Sequence, residues 1–179
     1  MHRLPDLPGR TAIPVEHFNT APAEEIRHLL LACLRSAHWA ARIADHRPYP
    51  DADALLAAAD EAAYDLTWAD LADALANESL PALPADTYSA AHTALSAARA
   101  AYEARFGHVF VICLDGVAPE ESLDRVLEAI RSRLTNDPEE ERAITAEQLR
   151  RLARGRLVRA LKGTGRCRYA APPRGATSR

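Results

Sequence analysis

Apolar residues recurring every three or four positions, punctuated by prolines, constrain this chain more than any other feature. Between Pro22 and Ala44, residues Ile26, Leu29, Leu30, Cys33, Leu34, Ala37 and Ala41 fall on one stripe. That spacing predicts one amphipathic helix, with Pro22 in the first turn, where a missing N–H is tolerated. It stops before Pro48-Tyr49-Pro50, a rigid connector. Asp51 or Asp53 caps the next helix, which buries Leu55, Leu56, Ala59 and Ala63. Thr67 and Asp70 make a near capping box for a short helix over 68–77. Pro81 and Pro84 force an irregular link, and Asp86 or Thr87 starts a long helix through Leu95 to Arg105. Phe106-Gly107 stops it. Pro119 opens a helix to Leu134, and Asn136-Asp137-Pro138-Glu139 starts the last one, which runs to Lys162.

Composition supports this reading. Hydrophobic residues make up 48% and aromatics only 6%, with alanine dominant; alanine loses least on entering a helix. Val109-Phe110-Val111-Ile112-Cys113-Leu114 is continuously apolar and has no partner strand, so it reads as one short buried extended segment near 108–113. The expected fold is all-α, a compact single-domain bundle of about seven helices. Residues 1–17, with Pro5, Pro8 and Pro14, read as an irregular N-terminal arm; 18–162 form the helical domain; 163–179, rich in Gly, Pro, Arg and Ser, read as a disordered tail.

Several function classes are disfavoured. A net charge of −3 lacks the basic surplus of a nucleic-acid binder. Cys33, Cys113 and Cys167 are odd in number and far apart, so neither a disulfide framework nor a zinc site follows. Seven histidines include no His-x-x-x-His pair, and no metal site is expected. No Gly-rich phosphate loop or nucleophile elbow is present. No apolar run approaches the ~20 residues of a membrane span, and Met1-His2-Arg3-Leu4-Pro5-Asp6 lacks the apolar block of a signal peptide. The expected location is cytoplasmic.

A series of landmarks is more specific. Phe18-Asn19 is followed by Cys33-Leu34-Arg35-Ser36-Ala37-His38-Trp39, Arg47-Pro48-Tyr49-Pro50 and Leu71-Ala72-Asp73-Ala74-Leu75. Tyr102-Glu103-Ala104-Arg105-Phe106-Gly107, Arg133-Leu134-Thr135-Asn136 with Glu140 or Glu141, and Arg156-Leu157 come after. In this order they resemble the 2-oxo-4-hydroxy-4-carboxy-5-ureidoimidazoline (OHCU) decarboxylases of urate degradation, over about residues 18–162. The resemblance implies a lyase of purine metabolism that works without metal or organic cofactor. Its partner is a small-molecule substrate, with a homodimer allowed and neither nucleic acid nor membrane involved. Loss of carbon dioxide leaves a carbanion, and a placed acid–base pair protonates one face to give (S)-allantoin.

That family uses a histidine from a His-Pro motif, a glutamate from a Ser-x-x-Glu-Gln motif, and an arginine near the terminal Arg-Leu pair. Here the first motif falls on Asn77-Glu78-Ser79-Leu80-Pro81, with Glu78 in the place of the histidine. The second falls on Ser89-Ala90-Ala91-His92-Thr93, with His92 in the place of the glutamate. The chain that follows is shorter than the family's by roughly three turns of 3.6 residues. One reading is a reciprocal exchange in which Glu78 and His92 still supply one carboxylate and one imidazole for acid–base work. The other makes Glu78 a solvated helix-end residue and His92 a surface histidine. Asn77 either caps its helix or donates to a substrate carbonyl; Ser89 either contacts substrate or caps.

Arg156 is the expected carboxylate holder, with Arg154 as the alternative. Both lie among five arginines between 150 and 159, most of them forming a solvated face that answers Glu139-Glu140-Glu141. Gly155 marks close approach of another backbone or a ligand. The extended segment, including Phe110 and Ile112, has backbone groups that either substrate or neighbouring side chains satisfy. Three readings follow: a decarboxylase of urate degradation, a relative acting on another small acid, and a catalytically inactive binding or scaffold domain.

Overall fold

The computed structural model describes residues 12–80 and 89–163. These form eight α-helices and no strand. In chain order they are α1 (Val15–Thr20), α2 (Ala23–Cys33), α3 (Ala37–Asp45), α4 (Ala52–Tyr64), α5 (Trp68–Leu75), α6 (Ser89–Phe106), α7 (Ser122–Arg133) and α8 (Pro138–Lys162). A 3₁₀ turn, Pro119–Glu121, leads into α7.

The all-α class is as expected, and Phe110, Val111, Ile112 and Cys113 form a buried segment that is neither helix nor strand, but two boundaries differ. Residues 15–17 open α1 and are not part of an irregular arm. The stripe from Pro22 to Ala44 is two helices, not one. Leu34 is extended (φ −148°, ψ 124°). The Ser36 hydroxyl then accepts from Trp39 N at 3.2 Å, capping a new helix. Leu34 remains buried at the break, but the stripe ends there: α3 buries Trp39, Ala40 and Ile43, while Ala37 and Ala41 are exposed, because the change of backbone direction shifts the helical phase. Residues 1–11, the starts assigned to Asp86 or Thr87, and the tail from 164 onward, including Cys167, lie outside the described residues.

Local signals behave as their chemistry dictates. Asp51 caps α4. Thr67 and Asp70 complete a reciprocal capping box on α5, and hydrogen bonds from Thr67 hold the Asp70 carboxyl below its usual range. Asp137 Oδ1 accepts from the N–H groups of Glu139 and Glu140, both at 2.9 Å. Asp137→Ala should therefore cost about 1 kcal/mol, read as a lower urea midpoint; an unchanged midpoint would show that this cap is idle.

The longest helix, α8, packs along α4 and α2. The larger core gathers Phe18, Ile26, Leu30, Leu34, Trp39, Leu55, Leu149 and Leu157. A second core joins Leu95 and Tyr102 of α6 with Phe110, Ile112, Val126 and Ile130. Most of the landmark residues hold this frame. Asn19 pairs with the Tyr49 backbone twice, each at 2.8 Å. Arg47 donates to the carbonyls of Ala44, Phe18 and Ala21 at 3.0–3.1 Å. Trp39 Nε1 donates to Ala59 O at 2.9 Å.

Between the two cores lies a buried polar network. Arg133 reaches Glu141 Oε1 through Nε at 2.8 Å and Nη2 at 2.5 Å. Asn136 donates to the other carboxylate oxygen at 2.9 Å, and Tyr102 donates its hydroxyl proton to Oε1. Arg133 Nη1 donates to Val111 O at 2.7 Å. Cys113 N donates to Gln148 Oε1 at 2.9 Å. Side chains thus hold part of the extended backbone in place of strand partners, and two cavities open beside it. No described helix is long and apolar enough to cross a membrane.

Candidate functional site

The site begins where α5 runs out. The N–H groups of Asn77 and Glu78 reach back to Ala74 O and Leu75 O, each at 3.1 Å. Asn77 Nδ2 donates to Asp73 O at 3.0 Å, tying the helix end. These bonds carry Glu78 inward, and its side chain is only 6% exposed. It is not a solvated residue.

Its partner comes from α8, across 78 residues of chain. Arg156 Nη1 donates to Glu78 Oε1 at 2.7 Å and Nη2 to Oε2 at 2.8 Å, a two-pronged fork. Arg156 Nη1 also donates to Cys33 O, at the end of α2, at 3.0 Å. The Glu78 hydrogen bonds raise the Arg156 pKa against the opposing effect of burial. A guanidinium has five N–H groups. The Glu78 fork takes the Nη1–Nη2 edge, and the Cys33 carbonyl takes the other Nη1 hydrogen. The Nε edge, with the second Nη2 hydrogen, bonds no atom of the described residues.

Two cavities meet at Arg156, and Glu78 lines the smaller of them. One, about 260 Å³, is lined by Leu31, Ala32, Arg35, Asn77, Glu78, Ser79 and Arg156. The other, about 470 Å³, is lined by Ser79, Leu80, Val111, Ile112, Leu114, Asp115, Leu152, Arg156 and Arg159. Ser79 and Arg156 border both. Each is large enough for a few-carbon ligand. Among the described residues, no three His, Cys, Asp or Glu side chains cluster as metal ligands do.

The other expected site residues are placed differently. His92 is exposed on α6 and shares no hydrogen bond or ion pair with Glu78 among the described residues. Ser89 opens α6, but its side chain lies outside the described residues. Ile112 lines the larger cavity. The Phe110 ring is buried in the second core, 5.0 Å from the Tyr102 ring and with the Arg133 guanidinium 4.5 Å away. Arg154 bonds Asp60 and the Leu56 carbonyl of α4.

The arginine face of α8 does not answer Glu139-Glu140-Glu141 as a block. Arg150 and Arg154 pair with Asp60, Arg150 also with Glu147, and Arg159 with Asp115. Glu141 is committed to Arg133. Gly155 does mark a close approach, but of a side chain. The Asp115 carboxylate lies where a Cβ would stand.

Sequence reasoning passed over Arg35, Asp115 and Arg159 as cavity residues. The signal for Arg35 was present in the Cys33-to-Trp39 landmark. The other two had none, because their juxtaposition spans 44 residues.

Comparison with known proteins bears on this geometry. The family model described as OHCU decarboxylase matches residues 19–87 and 79–158. A crystal structure of (S)-allantoin synthase superposes with a TM-score of 0.67 at 21% identity, covering 83% of this chain and 54% of that one. This chain thus spans about half the length of that relative. A crystal structure of OHCU decarboxylase in the presence of (S)-allantoin gives a TM-score of 0.65 at 20% identity, covering 79% and 99%. At these identities the superpositions establish a shared fold. No curated protein matches the sequence.

Proposed function

The chain belongs to the OHCU decarboxylase family, and from that premise we propose that it is a cofactor-free decarboxylase of a small carboxylic acid. The first substrate to test is 2-oxo-4-hydroxy-4-carboxy-5-ureidoimidazoline, with (S)-allantoin as product. The observation carrying this reading is the Glu78–Arg156 fork, whose arginine borders two cavities and whose glutamate lines the smaller of them.

In this reading the substrate carboxylate docks on the Nε edge of Arg156, where a planar fork suits it. That places the reacting carbon beside the Glu78 carboxyl. The carbon–carbon bond breaks, carbon dioxide leaves, and the electron pair stays on the ring carbon, shared with the adjacent imine or carbonyl. Glu78 then delivers the proton to that carbon. One proton is consumed and one carbon dioxide released per turnover.

The decisive assay follows carbon dioxide release and product handedness with freshly generated substrate. The wild type should exceed the spontaneous rate and yield one enantiomer. Arg156→Gln should lower kcat/KM roughly 10–100-fold, the worth of a charged hydrogen bond. No gain over the spontaneous reaction would overturn the proposal.

A second reading, an inactive binding domain, has one observation in its favour. Glu78 is already paired, and His92 is exposed without a bond to it. That reading predicts a wild type no faster than water.

A further inference from the structure

The larger cavity beside Arg156 has a polar corner built from two elements. Leu152, Gly155, Arg156 and Arg159 recur at three and four residues and share one face of α8. Leu152, Arg156 and Arg159 line the cavity of about 470 Å³. Asp115, also on its wall, reaches that face from the connection between α6 and α7. A turn closed by Val117 N on Leu114 O at 3.0 Å carries Asp115, and Gly116 takes the left-handed conformation the turn needs (φ 84°). The Asp115 carboxylate then lies against Gly155, in the space where any other residue would place its Cβ. Its Oδ1 accepts from Arg159 Nη1 at 3.1 Å, and its Oδ2 bonds no atom of the described residues. Both side chains are half exposed, which puts the corner at the cavity mouth.

This corner offers an acceptor oxygen beside a guanidinium with N–H groups to spare. Acceptor beside donor is the complement of an amide or ureido edge, which presents N–H beside C=O. A carboxylate at the same place would meet the like charge of Asp115. Glycine inside a helix costs about 1 kcal/mol relative to alanine. Here the missing Cβ is what admits the Asp115 carboxylate to the face of α8.

The geometry points to Asp115, seated on Gly155, as a specificity-determining residue of the larger cavity, selecting a monocarboxylic acid whose far end is a neutral amide or ureido group. The carboxylate of the ligand sits on the open Nε edge of Arg156. Its far N–H groups donate to Asp115 Oδ2, and its far carbonyl accepts from Arg159. This inference rests on Arg156 as the carboxylate anchor, proposed above, and adds the residues that read the other end of the ligand.

Calorimetric titration of the full chain tests this with three short acids. Hydantoate (N-carbamoylglycine) has a neutral end with N–H groups, monomethyl succinate a neutral end without them, and succinate a second carboxylate. Hydantoate should bind about 10–100-fold tighter than monomethyl succinate, the worth of a hydrogen bond to a charged group, and succinate should bind weakest. Asp115→Ala should bring hydantoate down to monomethyl succinate and raise succinate, since Arg159 is then free to meet the second carboxylate. Gly155→Ala should also lose the hydantoate preference while keeping the helical circular dichroism, because the atom it displaces is the end of a side chain that can turn away. Arg156→Lys, which keeps the charge but not the fork, should weaken all three acids. Hydantoate binding no tighter than the other two, or a preference that survives in Asp115→Ala or Gly155→Ala, would overturn the inference while leaving Arg156 as an anchor. Failure of all three acids to bind the wild type would overturn both.

Discussion

Glu141→Ala is expected to cost about 3–5 kcal/mol of folding stability, the largest loss from any single change considered for this chain. The Glu141 side chain is fully buried and Arg133 is 8% exposed. Removing the carboxylate leaves a guanidinium in the core without its counter-charge, and strips an acceptor from Tyr102, Thr145 and Asn136. The double variant Arg133→Met, Glu141→Leu should lose much less than the single, since no charge is then left unpaired. Chemical denaturation gives both numbers, and a single-variant loss under about 1 kcal/mol would mean that water relieves the arginine.

The same group sets a pH signature. Burial pushes the Glu141 carboxyl up, but hydrogen bonds from Arg133, Tyr102 and Asn136 outweigh it and hold the group below its ordinary value of 4.5. A depressed folded pKa means a contribution complete above the unfolded value and lost as pH falls through the folded one. Tyr102 acts at the other end. Burial, then its bond to Glu141, raises its hydroxyl from 10.0 to about 12, so its contribution is whole below 10.0 and fades as pH rises toward 12. Glu141→Ala should flatten the acid limb, and a stability profile with an unchanged acid limb would remove Glu141 as its cause.

Glu78→Gln is expected to lower the decarboxylation rate by about 10²–10⁴-fold with folding intact. Glutamine fills the same space and still accepts one hydrogen bond from Arg156, but it transfers no proton. If Glu78 and His92 act as one acid–base unit, His92→Asn should fall by a similar factor, and the double variant should be little worse than either. The wild-type pH–rate profile should be bell-shaped and each single variant should lose one limb. A Glu78→Gln variant at full rate would remove Glu78 from the chemistry. A His92→Asn variant at full rate beside a dead Glu78→Gln would leave Glu78 acting without His92, in keeping with the exposure of His92 on α6.

Much of the frame could be read without coordinates because its signals are local. Asp51, Thr67 with Asp70, and Asp137 bond to N–H groups two or three residues away, so spacing alone locates three helix starts. Periodicity identified the apolar faces of α2 and α4 but put Ala37 and Ala41 on the buried side of α3, which buries Trp39, Ala40 and Ile43 instead; the lack of a partner strand for residues 109–114 marked the segment outside helix and sheet. The break at Leu34 to Ser36 escaped notice because a buried leucine keeps the helical spacing while its backbone is extended. Motif order pointed to the family, yet Asn19, Trp39, Arg47, Tyr102 and Arg133 turn out to support the fold and do not line the two shared cavities.

By itself, then, the sequence determined the helical class, the caps, the family and the identity of Glu78 and Arg156 as residues to watch. Only the tertiary structure decided that these two meet in a fork, that Arg154 turns to Asp60, that Asp115 rests on Gly155, and that Arg35 lines the smaller cavity beside them. The physical reason is range. Helix propensity and capping depend on neighbours within one turn, whereas charge pairing depends on which helix ends the packing brings together. A guanidinium on α8 has several carboxylates within reach of its length, and only the docking of α8 against α2 and α4 selects among them.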